Sequence, residues 1–321
     1  MTFTMLTSIP WWGIMLIILG GLIGLALLIY LTLGFILWHN TIVTAPVESY
    51  RDLPTTDEIE NQLVEYKHRA KAKLISLNME EVYIKSRDGL NLHAFFKESP
   101  SHSKKIVISV HGWHGDALDT GAIFSHFLTD FDYNILFIDL RSMGKSKGRY
   151  TTYGVLDRLD LLDWINYLKE RFDGDCEIAL FGISMGAFTC LSAADMVPYQ
   201  VKCIIADCGY TSPIEEFKFC LELVKQPKFL VYASEFWNLL ICHFNYRLNT
   251  KKILASATTP ILFIHGDDDD FVPTKFSKEN YEACASEKKL VLFKGKGHAR
   301  SFFFNKEEYK NLVLDYLIHN L

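Results

Sequence analysis

The chain has 321 residues, a formal net charge of −5, 49% hydrophobic and 22% charged residues, and a mean hydropathy of +0.10. The apolar excess is concentrated near the amino terminus, which excludes a disordered chain, a collagen-like repeat and a multi-span transporter. The slightly acidic balance lacks the basic stripe that a nucleic-acid partner requires.

Residues 11–38 contain no charged side chain, and the first charged residue is Glu48. About 20 apolar residues cross a bilayer's hydrocarbon core, so this run is long enough for one membrane span. Trp11, Trp12 and Trp38 stand at its ends, where amphipathic indoles favour the interface. A cleaved signal peptide fits less well, because no basic residue precedes the run and its length is about twice that of a signal's apolar core. Residues 1–39 therefore read as a single-pass anchor, with the bilayer as the partner of residues 11–38. Arg51, Lys67, Arg69, Lys71 and Lys73 all follow the span, which leans towards a cytoplasmic carboxyl-terminal domain. Seven cysteines, all from Cys176 onward, lean the same way as free thiols of a reducing compartment. Gly20 and Gly24 have helix-contact spacing, a pattern common by chance in glycine-containing spans.

Residues 40–78 read as a linker and an amphipathic helix. Pro46 and Pro54 mark the linker, and Thr55 and Glu58 are spaced as a capping box. Ile59, Leu63, Tyr66, Ala70 and Leu74 then recur at helical spacing, predicting a helix over 56–77. Beyond it, Arg87-Asp88-Gly89 separates strand-like segments 81–86 and 92–97, a hairpin signal. Continuous apolar runs at 106–110, 135–138, 178–181, 203–206, 261–264 and 290–293 suit strands buried on both faces. Helical patterns fall at about 117–129, 155–171, 186–196, 274–285 and 305–320. This alternation predicts one α/β domain, residues 79–321, around a doubly wound, mostly parallel sheet. Residues 213–258 break the alternation and are rich in aromatics, including Phe217, Phe229, Phe236 and Trp237. They read as a helical lid over the carboxyl ends of the strands, where ligands bind in open α/β sheets.

Two segments match Gly-x-Ser-x-Gly, namely 144–148 and 182–186. A nucleophile elbow needs a buried strand running through a sharp turn straight into a helix. Ser184 has that context, with an apolar strand before it and the small-residue helix 187–196 after it. Ser146 stands in a polar, basic stretch followed by Arg149-Tyr150-Thr151-Thr152, so it reads as a loop residue. Gly144-Lys145-Ser146 is not a phosphate-binding loop either, since the required earlier glycine is Asp139.

A serine hydroxyl needs a base to take its proton and a carboxylate to orient that base. His298, in Gly297-His298-Ala299 between the last strand and the last helix, is the candidate base. His68, His93, His102 and His319 read as surface, His126 lies in a helix, and His265 at a strand end reads as structural. The acid should come from Asp267-Asp268-Asp269-Asp270, where spacing favours Asp269, with Asp207 as an outside candidate. A calcium loop would need alternating ligands around an internal glycine, which this run lacks. Two backbone N–H groups should hold the oxyanion. One is expected from Met185, and the other from Trp113 in the glycine-bearing loop His111-Gly112-Trp113-His114-Gly115. His111 and His114 have no accompanying ligand cluster, so no metal and no cofactor is implied.

With Asp139-x-Arg141-x-x-Gly144-x-Ser146-x-Gly148 and the 265–273 segment, these motifs occur in order over about residues 80–321. The chain resembles the α/β-hydrolase superfamily, and more narrowly its single-pass membrane-anchored serine hydrolases with short lids, close to the BEM46-like and S33 aminopeptidase-like groups. The resemblance implies an eight-stranded α/β-hydrolase fold and a structural role for Asp139 and Arg141, which would brace the loop around Ser146. Glycine usually stands where this chain has Ser142. The expected activity is acyl transfer on a carboxylic ester with an apolar acyl group, through Ser184, Asp269 and His298. A peptidase or thioesterase of the same fold is the alternative, to be favoured by an acidic pocket for a substrate amine. A non-catalytic, membrane-tethered binding scaffold is the alternative of another class.

Overall fold

The structure, a computed structural model, describes residues 10–43, 58–118 and 126–321. Helix α1 (Trp11–Ile42) is followed by α2 (Glu58–Ser76) and the hairpin of β1 (Glu80–Lys85) and β2 (Asn91–Lys97). Then come β3 (Lys105–Val110), a short 3-10 helix (His126–Asp130), β4 (Asn134–Ile138), α3 (Asp157–Arg171), β5 (Glu177–Ile183), α4 (Met185–Ser192) and β6 (Val201–Asp207). Helices α5 (Pro213–Leu223), α6 (Leu230–Cys242) and α7 (Thr250–Leu254) occupy the predicted lid segment. The chain closes with β7 (Ile261–Asp268), α8 (Lys275–Ala283), β8 (Lys288–Lys296), α9 (Ser301–Phe304) and α10 (Lys306–Asn320).

All eight strands form one sheet in the order β1-β2-β4-β3-β5-β6-β7-β8. Only β2 runs antiparallel to its neighbours; the others from β4 to β8 are parallel. Alternation along each strand divides the core in two. On β5, Ile178 and Leu180 join the layer under α3 and α4, whereas Ala179, Phe181 and Ile183 join the layer under α2 and α10. Both faces are therefore covered, and continuous apolar runs are what such strands require. The register aligns Val110 with Gly182, Ile183 with Asp207, and Asp207 with Ile264. The loops after β3, β5, β6 and β7 thus leave the sheet along one carboxyl edge, where the site lies.

Two expectations change. The helix expected over 117–129 is represented by the 3-10 turn at its end, with residues 119–125 outside the described residues. His93, expected at the surface, is fully buried on β2, because the hairpin folds that edge of the sheet beneath the loop after β4. The capping box at Thr55 and the linker prolines lie outside the described residues, while Ala70 and Leu74 of α2 are buried as its periodicity requires.

Helix α1 is the one helix among the described residues long and apolar enough to cross a membrane. It runs past Trp38, and its final turns do not stand free. Trp38 and Ile42 are buried, and Gly34 packs so closely on α6 that a Cβ there would lie 2.3 Å from Ala233 Cβ. Trp237 Nε1–H donates to the Leu31 carbonyl at 2.8 Å, Trp38 Nε1–H donates to Asn238 Oδ1 at 3.2 Å, and Tyr30 O–H donates to the Phe229 carbonyl at 3.1 Å. The remaining helix from Trp11 onward exposes its leucines and isoleucines. That exposed apolar surface continues onto α6 through Phe229, Phe236, Leu239 and Leu240.

Candidate active site

Strand β5 ends at Ile183 and α4 begins at Met185, so Ser184 alone makes the turn. Its φ of 56° and ψ of −118° lie where a residue with a side chain is strained, and such strain is held only when the surroundings enforce it. The flanking glycines explain how the turn closes. A Cβ on Gly182 would lie 2.3 Å from the Gly186 carbonyl oxygen, and one on Gly186 would lie 2.1 Å from the Val110 carbonyl oxygen. Both obstacles are backbone atoms, so no rotamer change relieves them.

The buried Ser184 hydroxyl donates to His298 Nε2 at 2.8 Å, and His298 Nδ1–H donates to Asp269 Oδ2 at 2.8 Å. Among the four adjacent aspartates only Asp269 is buried; Asp267, Asp268 and Asp270 are exposed. Its Oδ1 accepts the N–H groups of Phe271 and Val272 at 3.0 and 2.9 Å. His265 also approaches its Oδ2, at 3.3 Å. Burial opposes ionisation of Asp269, yet hydrogen bonds from His265 and His298 outweigh it and hold the carboxyl well below the usual carboxylate range. Burial likewise opposes charging of His298, but its bond to the Asp269 carboxylate prevails and raises the imidazole above its ordinary value. The arrangement is one in which a proton can pass from Ser184 to His298 while Asp269 stays charged.

The loop after β3 lies directly against the serine. A Cβ on Gly112 would come within 3.3 Å of Ser184 Cβ and 3.8 Å of its Oγ. Leu140 N–H donates to His111 Nε2 at 3.0 Å, so the proton sits on Nδ1, which donates to the Gly112 carbonyl at 2.7 Å. Both His111 nitrogens thus shape this loop. Trp113, next in sequence, stacks near Tyr153 with ring centres 6.0 Å apart. Met185, directly after Ser184, is buried at the first position of α4.

The other candidates are used elsewhere. Ser146 Oγ–H donates to the Asp139 carbonyl at 2.7 Å and accepts the His93 N–H at 2.9 Å. Asp139 receives His93 Nδ1–H, Lys145 N–H and Ala117 N–H at 2.7, 2.8 and 2.7 Å. Arg141 is buried between Asp160, at 2.6 and 2.7 Å, and Asp88, at 3.0 Å. Ser142 takes a φ of 63°, the conformation that explains why glycine suits this position. Asp207 accepts the Tyr309 hydroxyl at 2.8 Å. Its backbone carbonyl holds the Ser184 N–H at 2.8 Å, so it supports the turn from the next strand.

Three neighbours are not evident from sequence. His265 is buried between Ser277 Oγ at 2.7 Å and the Val272 carbonyl at 2.9 Å, and its spacing of four from Asp269 was the only available signal. Cys208, Asp269 and His298 offer potential metal-ligand atoms within 4.8 Å of one another. The His298 nitrogens are already engaged by Ser184 and Asp269, and burial pushes the Cys208 thiol far above its ordinary value, which favours the hydrogen-bonded chain over a metal centre. Glu216, on lid helix α5, is buried close enough to feel the charge of His298, and burial pushes its carboxyl up to about 7. Its Oε1 accepts the Cys220 thiol at 3.4 Å, whereas Oε2 has no hydrogen-bond partner among the described residues. Nothing in the local sequence announces this residue, because only the packing of the lid brings it to the site.

An eight-stranded, mostly parallel sheet with a serine on a strained strand-to-helix turn defines an α/β hydrolase. A family model for the alpha/beta hydrolase fold matches residues 105–232, and one for the FSH1 serine hydrolases matches residues 179–299. The chain has the α/β-hydrolase fold, and over these residues it is similar to serine hydrolases. The Bacillus subtilis protein YqkD is 27% identical over 223 residues, covering 68% of this chain and 73% of its own length. A Saccharomyces cerevisiae protein described as an uncharacterized membrane protein is 24% identical over 200 residues, covering 61% of this chain and 64% of its own. The esterase Pf2001 of Pyrococcus furiosus superposes with a TM-score of 0.62 at 26% identity, covering 77% of this chain and 94% of that one.

Proposed function

We propose that this protein is a membrane-anchored serine hydrolase that cleaves carboxylic esters through an acyl-enzyme intermediate. The observation that carries the proposal is the continuous hydrogen-bonded chain from Ser184 through His298 to Asp269, ending at a serine held in a strained turn. In this reading Ser184 attacks the ester carbonyl while His298 takes its proton. The N–H groups of Trp113 and Met185 stabilise the oxyanion. His298 then returns the proton to the leaving alcohol, and water repeats the cycle on the acyl-enzyme. Asp269 keeps the proton of His298 on Nδ1, which leaves Nε2 free to act as the base.

Residues 1–39 would be the anchor, residues 40–78 the linker and helix, and residues 79–321 the catalytic domain with its lid at 213–258. The exposed apolar helix α1 and the contiguous apolar face of α6 support a lid resting on the bilayer. The seven free cysteines and the basic residues after the span favour the cytoplasmic side. Labelling of the intact protein by a fluorophosphonate tests the assignment. It should vanish in Ser184→Ala and persist in Ser146→Ala, and the converse pattern would overturn it.

One observation favours a peptidase of the same mechanism. The Glu216 carboxyl, buried on the lid with one oxygen unpartnered, is an acidic group suited to receive a substrate amine. Glu216→Gln would then raise KM for a free-amine peptide substrate and leave KM for a simple ester unaltered.

A further inference from the structure

An α-helix leaves its last carbonyls without partners inside the helix, so other groups must hold them. At the end of α1 the Val43 N–H meets the His39 carbonyl at 3.2 Å, within the helix's own chain. The next orphans are held from elsewhere, by a segment just before α3. The Ile42 carbonyl accepts the Thr151 N–H at 2.9 Å, and the Thr41 carbonyl accepts the Tyr153 hydroxyl at 3.0 Å. Val43 and Tyr150 form an antiparallel bridge, and the Trp38 and Tyr150 rings lie with centres 5.9 Å apart. Helix α1 therefore ends inside the domain, capped by residues 150–153.

The same segment touches both residues read as oxyanion donors. Thr151 Oγ1–H donates to Met185 Sδ at 3.9 Å, and the Tyr153 ring stacks near Trp113. Gly154, next in the chain, packs so closely on α4 that a Cβ there would lie 2.4 Å from Phe188. Tyr153 itself takes a φ of 48°, which a bulky side chain adopts only where its surroundings enforce it. Here the enforcing contacts are the hydroxyl on Thr41, the Tyr153 carbonyl accepting the Tyr210 hydroxyl at 3.0 Å, and the ring held between Trp113 and Phe217. The hydrogen bonds joining Ser184, His298 and Asp269 involve no residue of α1. The seating of α1 thus bears on the oxyanion side of the site and not on the proton-transfer chain.

We propose that Tyr153 is a positioning residue through which the docked end of α1 holds the oxyanion site in shape, so that turnover depends on the seating of the anchor. This rests on the serine-hydrolase reading, with Trp113 and Met185 as oxyanion donors, and adds to it a control of that site by α1. The test uses the full chain in detergent micelles, with para-nitrophenyl acetate as substrate and phenylboronic acid as inhibitor. Ser184 Oγ bonds to boron as His298 takes its proton, and the tetrahedral boronate places an oxygen where the oxyanion forms. Tyr153→Phe keeps the ring and loses only the bond to Thr41. It should lower kcat about tenfold with KM within about twofold, a smaller loss than removal of an oxyanion donor itself. Its affinity for phenylboronic acid should fall about tenfold as well, since the same site is read. Gly34→Ala, which forces α1 away from Ala233, should give the same pair of losses. The double variant should be no worse than the more impaired single one, because both break one linkage. Should Gly34→Ala fail to fold, Trp237→Phe loosens the same seat by removing the bond to the Leu31 carbonyl. Unchanged kcat and boronate affinity in Tyr153→Phe, or losses there that no variant of the α1 seat reproduces, would overturn the coupling. So would a raised KM at unchanged kcat, which would make Tyr153 a substrate contact. Fluorophosphonate labelling of Ser184 reads the underlying assignment separately: a wild type that labels while its variants fail these tests refutes the coupling alone, and one that does not label refutes both.

Discussion

The two Gly-x-Ser-x-Gly segments of this chain carry the same pattern and do opposite things. At 182–186 the glycines let a helix close against two strands, which leaves Ser184 strained and bonded to an imidazole. At 144–148 the serine is locked between the Asp139 carbonyl and the His93 N–H, and both of its hydrogen-bonding roles are spent on holding a loop. Gly144 is required for a different reason too, because a Cβ there would strike the Asp139 carboxyl at 2.1 Å. A motif therefore marks backbone geometry, and the elements on either side decide whether the serine is presented or buried in a brace.

Substitutions in the two segments should separate these roles. The largest effect is expected for Ser184→Ala, which should lower kcat/KM for an activated ester by about a millionfold without loss of fold, measured by hydrolysis and circular dichroism together. Asp269→Asn should lower kcat about ten-thousandfold by letting His298 adopt the wrong tautomer. The same variant makes a pH prediction. Asp269 raises His298 above its ordinary value of 6.5, and the base works only when neutral, so wild-type kcat/KM should rise with pH through a midpoint above 6.5. Loss of the carboxylate leaves burial as the chief influence, and the midpoint should move to lower pH.

The brace should respond in stability rather than in chemistry. Arg141→Met removes the charge that pairs Asp160 and Asp88, and it should cost about 3–5 kcal/mol in denaturant unfolding. Ser146→Ala leaves the buried His93 N–H without its acceptor and should cost about 1–3 kcal/mol. Its kcat per labelled molecule should match the wild type. A large loss of kcat in Ser146→Ala at full fold would mean that the two segments are not divided as described.

Much of the architecture is legible in the chain because it depends on local pattern. The six continuous apolar runs and the two hairpin segments all form strands within a few residues of the predicted ranges, and five of the runs are buried throughout, while the run at 290–293, on edge strand β8, is partly exposed. The residues gathered at the carboxyl edge are also readable, since each stands just after a strand, and the register of a parallel sheet brings strand ends together. His93 is misread because a polar side chain on a hairpin strand looks solvated until Asp139 arrives from another loop to receive its proton. Glu216 has no local signal at all.

By itself, the sequence determines that one uncharged helix precedes an α/β domain, and that a serine, a run of aspartates and a histidine stand at the ends of three of its strands. These are properties of short windows, set by hydropathy period and by the steric demands of glycine turns. Only the tertiary structure decides which aspartate meets His298, because four adjacent carboxylates differ in burial and not in chemistry. It alone seats the end of α1 on the lid, through the Gly34–Ala233 approach and the indole bonds of Trp38 and Trp237. Those contacts join residues about two hundred positions apart, and no local periodicity records which surfaces will meet.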